Sequence, residues 1–204
     1  MPQRKANART STDPPRGRPK VCILGVGQMG LVCSGILCSS PRGDSPGSLS
    51  RPVRVTLWGH DSDEVGEVAQ TRRSLRLPEF EIPEAAHVTW RDAEALGDAD
   101  LIVSAIPVQH TREAWTRLAR FVAPGAGVVS VAKGIEISTL LRPTQIIADV
   151  LRATGRDDPD RPPRRIATLS GPTIAPELAR CLPAAMVAAS DDAEFARAIQ
   201  SLFF

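Results

Sequence analysis

Apolar residues in this chain fall in short consecutive blocks, separated by longer stretches of mixed, amphipathic sequence. Blocks at 21–24, 53–58, 87–90, 100–106, 127–132, 166–169 and 185–189 read as strands. Apolar side chains on successive positions, rather than alternate ones, mark strands covered on both faces, as in a parallel sheet. Between them, the periodicity predicts helices over 31–37, 63–73, 111–121, 138–153 and about 176–180, a helix start at 92–96, and a last helix from 191 to the end. In the helix over 111–121, Ala114, Leu118 and Phe121 face inward. The last helix, ending Ile199-Gln-Ser-Leu-Phe-Phe204, is apolar enough to predict a packing partner missing from this chain. Regular alternation of strand and helix predicts an α/β fold, an open Rossmann-type sheet, mostly parallel, with helices on both faces. Two loops rich in proline, glycine and charge, 39–52 and 154–165, read as surface insertions, because strand-like sequence resumes after each.

The first strand runs into Gly25-x-Gly27-x-x-Gly30. In a strand-to-helix turn, the first glycine permits the sharp reversal and the second lets a pyrophosphate approach the main chain. The third lets helix pack closely on strand. The helix that follows directs its unpaired N–H groups and partial positive charge at the phosphates.

In such sheets, ligands sit beyond the carboxyl ends of the strands. The second strand ends Trp58-Gly59-His60-Asp61. Asp61 suits ribose hydroxyls and His60 suits a 2′-phosphate, so NAD and NADP both stay open, with a slight lean to NADP. The strand over 100–106 stops at Pro107, which reads either as a rigid turn near the cofactor or as a purely structural turn. The next ends Ala132-Lys133-Gly134. A lysine at a strand mouth pairs with a phosphate or polarises a carbonyl, although taken alone it also reads as a solvated side chain. After 166–169, Ser170-Gly-Pro-Thr173 forms a turn that exposes backbone N–H groups and a hydroxyl.

Taken in order, Gly25-x-Gly27-x-x-Gly30, Leu57-Trp-Gly-His60, Val131-Ala-Lys-Gly-Ile-Glu136 and Leu169-Ser-Gly-Pro-Thr-Ile-Ala-Pro-Glu-Leu178, then Leu182-Pro-Ala-Ala, carry a resemblance. From about Lys20 to Phe204 the chain resembles the amino-terminal domain of bacterial NAD(P)-dependent glycerol-3-phosphate dehydrogenases. The resemblance implies reduction of dihydroxyacetone phosphate by NAD(P)H to sn-glycerol 3-phosphate, reversibly, for phospholipid precursors. It places Gln28, Met29, His60, Lys133 and Ala175 at cofactor contacts, beside Gly25, Gly27, Gly30 and Pro107. Lys133, Gly171 and Thr173 fall at substrate contacts, Lys133 serving both ligands. The family's proton-transfer lysine belongs to a helical carboxyl-terminal domain, which would follow Phe204. That domain is expected to be missing from this chain, and turnover is expected to be impaired. The resemblance leaves room for a homodimer of the full-length protein. Two departures stand out: Gln28-Met29 replaces a serine followed by an aromatic residue, and Arg73-Ser-Leu-Arg-Leu-Pro-Glu79 lacks the family's asparagine and glycine. The alternatives are a dinucleotide-binding fragment without catalysis, or a dehydrogenase of the 6-phosphogluconate or hydroxyacid type.

Charge and composition narrow the setting. The 204 residues are 42% hydrophobic, enough to bury a core, and carry a formal charge of +2. Arg4, Lys5, Arg9, Arg16, Arg18 and Lys20, opposed by Asp13 alone, make the first twenty residues basic and proline-rich; residues 1–19 are expected to be a disordered tail ahead of a single domain over 20–204. No aromatic residues interleave with those charges, so the tail reads as a solvated extension and not as a nucleic-acid site. No stretch is apolar enough to cross a bilayer, and the tail has no secretory core, which points to the cytoplasm. Cys22, Cys33, Cys38 and Cys181 lack metal-ligand spacing and read as small buried residues of a reducing compartment; no metal is expected.

Overall fold

The computed structural model describes residues 18–39, 53–157 and 162–203. The basic tail before Arg18, most of the insertion over 39–52 and the tip of that over 154–165 lie outside these residues. So does Phe204, and with it the expectation that a proton-transfer lysine follows it. Strands β1 (Lys20–Leu24), β2 (Arg54–Trp58), β3 (Ala86–Thr89), β4 (Leu101–Ser104), β5 (Gly127–Ser130), β6 (Ile166–Ser170) and β7 (Val187–Ser190) form one sheet in the order β3-β2-β1-β4-β5-β6-β7. The first six are parallel and β7 runs antiparallel, with Leu169 opposite Ala188. Chain order reverses between β1 and β4, which opens a crevice at their carboxyl ends.

Helices α1 (Gln28–Cys38), α2 (Ser62–Thr71), α3 (Asp92–Leu96), α4 (Val108–Leu118), α5 (Pro143–Ala153), α6 (Ala175–Ala179) and α7 (Ala193–Phe203) cover both faces. The two-residue period of β1 divides its side chains between two cores. Val21 and Ile23 join α1, α2, α6 and α7 on one face, whereas Cys22 and Leu24 join α3, α4 and α5 on the other.

Several elements differ from the sequence reading. Helix α4 begins at Val108, directly after Pro107, and buries Trp115 and Leu118 while Ala114 and Phe121 are half-buried. Pro107 fits this place because an N-cap residue keeps extended backbone and needs no intrahelical N–H bond. Helix α5 begins only at Pro143, since Leu140 takes a left-handed φ of 60° and breaks any helix running from residue 138. The last helix, α7, is described as far as Phe203, one residue short of Phe204. It buries Phe195, Ile199 and Phe203 within the domain, so the apolar face predicted to lack a partner has one here.

Lys20 is not a tail charge. It is the first residue of β1, 8% exposed, and its ammonium donates to Asp98 Oδ1 (2.5 Å) and to the Glu94 carbonyl (2.6 Å). Cys22 and Cys33 are buried, and desolvation pushes both thiols up to about 12. Cys38 is half-buried, but Cys181 is exposed, at a left-handed φ of 57° after α6, contrary to the expectation of four buried thiols.

Candidate functional site

The six parallel strands bring their carboxyl ends to one edge, and the singled-out residues follow that edge in spatial order. His60 lies beyond β2, the glycine turn beyond β1 and Pro107 beyond β4. Lys133 lies beyond β5, and Gly171 and Thr173 beyond β6.

The three glycines meet three different surroundings. Gly25 has φ +116°, and a Cβ there would lie 3.0 Å from the Ala105 carbonyl oxygen, so the turn needs both its freedom and its small size. A Cβ on Gly30 would lie 1.9 Å from the Gly25 carbonyl oxygen, which fixes how closely α1 folds back on β1. A Cβ on Gly27 would meet nothing within 4 Å. No packing inside the protein demands a glycine there; the space above its backbone is open to a ligand.

Gly27 is also the N-cap of α1. The helix has neither a side-chain cap nor an acidic residue in its first turn, which leaves its leading N–H groups and positive end directed outward. Gln28 is exposed and its amide donates to the Arg76 carbonyl (2.8 Å), tying the turn to the loop after α2. Met29 packs its side chain partly against the core, so what it presents at the turn is backbone. This arrangement fits a dinucleotide pyrophosphate.

On the adenosine side, His60 is exposed. Asp61 is committed elsewhere: its carboxylate caps α2, accepting from the Asp63 N–H (3.0 Å) and the Glu64 N–H (2.8 Å). That leaves the histidine, not the aspartate, as the polar side chain of this turn without a capping duty.

On the other side of the crevice, the Lys133 ammonium donates to the Thr173 carbonyl (3.2 Å) and to its hydroxyl (3.3 Å), joining the ends of β5 and β6. Thr173 is buried. Gly171 permits a close approach, since a Cβ there would lie 2.2 Å from the Ala185 carbonyl oxygen. Ala175 opens α6 with its methyl group buried against α1, so only its backbone faces outward. A cavity of about 1300 Å³ runs along α5 beside β6, its lining including Thr144, Gln145, Arg152, Ile166, Thr168 and Ser190. Neither the glycine turn nor Lys133, Gly171 or Thr173 lines it, so this cavity is distinct from the crevice.

Sequence reasoning missed what holds the Lys133 loop in place. Arg112 of α4 donates to both Glu136 oxygens (2.9–3.2 Å) and to Asp149 of α5 (2.6 Å). These hydrogen bonds hold the Glu136 carboxyl below the usual carboxylate range, with the Thr139 hydroxyl adding to the effect. One turn earlier on α4, Gln109 donates to the Ile135 carbonyl (2.8 Å) and accepts from the Ile137 N–H (3.1 Å). The spacing of Gln109 and Arg112 puts both on one helix face, but nothing in the pattern assigns them Glu136 as a partner.

Among the described residues, no His, Cys, Asp and Glu group could hold a metal ion, and no helix is long and apolar enough to cross a membrane.

Comparison with known proteins agrees with this geometry. Residues 20–196 match the family described as NAD-dependent glycerol-3-phosphate dehydrogenase N-terminus. A glycerol-3-phosphate dehydrogenase [NAD(P)+] of Lactobacillus delbrueckii is 35% identical over 184 residues, covering 90% of this chain and 50% of that protein. One from Mycobacterium tuberculosis is 35% identical over 181 residues, covering 88% and 48%. The chain thus spans about half the length of the curated relatives it matches. A solved glycerol-3-phosphate dehydrogenase of Coxiella burnetii superposes with a TM-score of 0.75 at 22% identity, over 92% of this chain and 51% of that one, a likeness of fold.

Proposed function

We propose that this chain, which belongs to the NAD-dependent glycerol-3-phosphate dehydrogenase N-terminus family, is the cofactor-binding half of an NAD(P)-dependent oxidoreductase. Its substrate pair is dihydroxyacetone phosphate and sn-glycerol 3-phosphate, and its product is a precursor of phospholipid backbones. The observation that carries this reading is the Lys133–Thr173 contact, which sets a cation beside the same crevice that the glycine turn opens.

The pyrophosphate lies over Gly27, between the Gly25 turn and the N–H groups of Gln28, Met29 and Gly30. His60 meets the adenosine side, which keeps the slight lean to NADP. Pro107 and the backbone of Ala175 border the nicotinamide side. When bound, the nicotinamide gives or takes the hydride. Lys133 then faces the oxygen on which negative charge develops, and its ammonium stabilises that charge without moving far from Thr173. The Gly171–Thr173 turn orients the substrate against it. Four free cysteines suit a reducing cytoplasm.

Titration calorimetry with NADH and NADPH is the first test, followed by dihydroxyacetone phosphate added to the cofactor complex. Both cofactors should bind, NADPH the more tightly. Lys133→Ala should abolish the response to dihydroxyacetone phosphate while changing cofactor affinity only a few-fold. Retention of the substrate response in that variant would overturn the assignment.

A further inference from the structure

Between Val131, buried just after β5, and Leu141, which packs against the core ahead of α5, the stretch from Lys133 to Leu140 buries no large apolar side chain. Ile135, Ile137 and Leu140 are 49%, 78% and 69% exposed, so hydrophobic burial does not fix the shape of this loop. Its backbone is unusual as well, with Gly134 at φ +100° and Leu140 at φ +60°. One side chain of the loop after Lys133 turns inward, and that is the charged one: Glu136 is 5% exposed. A carboxylate so placed needs a matched cation and full hydrogen bonding, and Arg112 supplies both through its fork, with the Thr139 hydroxyl on the same oxygen. Around it the backbone closes a ring, the Glu136 N–H donating to Leu141 and the Leu140 N–H to Glu136 (2.9 and 2.8 Å). The Gln109 amide grips the residues on either side of Glu136.

We infer that Glu136, Arg112 and Gln109 are positioning residues that hold Lys133 at Thr173, and that they set the affinity for a phosphorylated ketone without touching it. The inference rests on the reading of Lys133 as the substrate lysine. Its physical basis is leverage. Val131 fixes the chain in the core before Lys133, and beyond it the polar contacts of Glu136, three residues on, and of its neighbours to α4 help set where the lysine's long side chain leaves the backbone. Once the carboxylate loses its charge, the fork relaxes toward Asp149 and the loop gains freedom. The ammonium then spends less time at Thr173.

The chain contains three lysines, Lys5, Lys20 and Lys133, so protein labelled with ¹³C at the lysine side chains gives three assignable Cε signals. Lys20, buried in β1, reports on the sheet. In Glu136→Gln and Gln109→Ala, the Lys133 signal should shift and sharpen while the Lys20 signal stays in place. The dissociation constant for dihydroxyacetone phosphate should rise about tenfold, and that for NADPH should change less than about twofold. Gln109 is an exposed position, so its variant keeps the test open should Glu136→Gln fail to fold. An unchanged Lys133 signal with unchanged substrate affinity in Gln109→Ala would overturn the inference. Should the Lys133 signal of the unaltered protein ignore dihydroxyacetone phosphate yet still move in both variants, the positioning would stand and the substrate reading would fall.

Discussion

Gly27 and Gly30 occupy the same turn for opposite reasons, and that opposition can be measured. Gly30→Ala forces a methyl group against the Gly25 carbonyl at 1.9 Å, so it should lower stability by about 1–3 kcal/mol or more and weaken NADPH binding with it. Gly27→Val places its side chain in open space. It should leave the thermal midpoint almost unchanged while reducing NADPH affinity by an order of magnitude or more, because the branched side chain occupies the approach of the pyrophosphate. Thermal unfolding and calorimetry on both variants check the contrast, and loss of stability in Gly27→Val would contradict it. The glycine turn is legible in the sequence because its backbone conditions admit few residues. Lys133 becomes legible only beside its neighbours, since an isolated lysine after a strand carries no geometric signature. Asp61 is ambiguous for a physical reason: an aspartate at that spacing serves a ribose or caps a helix equally well, and only the α2 hydrogen bonds decide.

Among the elements, strands are more legible than helix ends. A buried parallel strand is a short apolar block, whereas the start of α5 depends on Leu140 adopting a left-handed backbone that its residue type does not announce. The direction of β7 is not written in its residues at all, because antiparallel and parallel strands share composition; the register with β6 sets it. Helix α7 reads as unpartnered in sequence because its partner surface, β6, β7 and α1, is assembled from distant segments. Ile199 is 1% exposed there, so Ile199→Ala should cost about 2–5 kcal/mol in denaturant unfolding, whereas a solvent-facing side chain would cost almost nothing. The clamp between α4 and the β5–α5 loop adds a pH dependence. The folded-state value of Glu136 lies below that of an unfolded glutamate, so its contribution is complete above about pH 4.3 and fades as pH falls through the lower, folded value. Stability of the unaltered protein and of Glu136→Gln should therefore converge on acidification below about pH 4. A stability gap that does not narrow there would show that the carboxylate charge is not what fastens the loop.

For the whole molecule, the family match and the sheet order agree on a cofactor-binding half, and the relatives are about twice as long. A reduced ketone needs a proton as well as a hydride, and positioned acid–base help is worth roughly 10²–10⁴ in rate. Among the described residues, Lys20 sits in the sheet away from the crevice, so Lys133 is the one lysine at hand, and in the proposed function it is already assigned to the substrate oxygen. The 204-residue chain should therefore bind NADPH yet oxidise it with dihydroxyacetone phosphate far more slowly than a full-length relative under the same assay. Comparable rates would mean that the proton comes from a group within this chain. Ile174 after β6, Leu182 after α6 and Val187 at the start of β7 are 56%, 46% and 67% exposed, apolar surface that no described residue covers.

The antiparallel course of β7 also decides what a second polypeptide would encounter if joined to either end. Among the six parallel strands, each connecting helix carries the chain away from the glycine turn, back to the amino ends of the strands. Because β7 runs back, with Ser190 beside Ala167, α7 starts at the amino ends of the strands and advances toward the crevice. A reporter fused behind α7 therefore begins its course at the end of the sheet where the glycine turn lies. One fused directly ahead of Arg18 begins a full strand length away, about 16 Å, at the amino end of β1. Tethering to a surface at Arg18, with residues 1–17 removed, would leave the crevice facing outward, and tethering behind α7 would turn it toward the support.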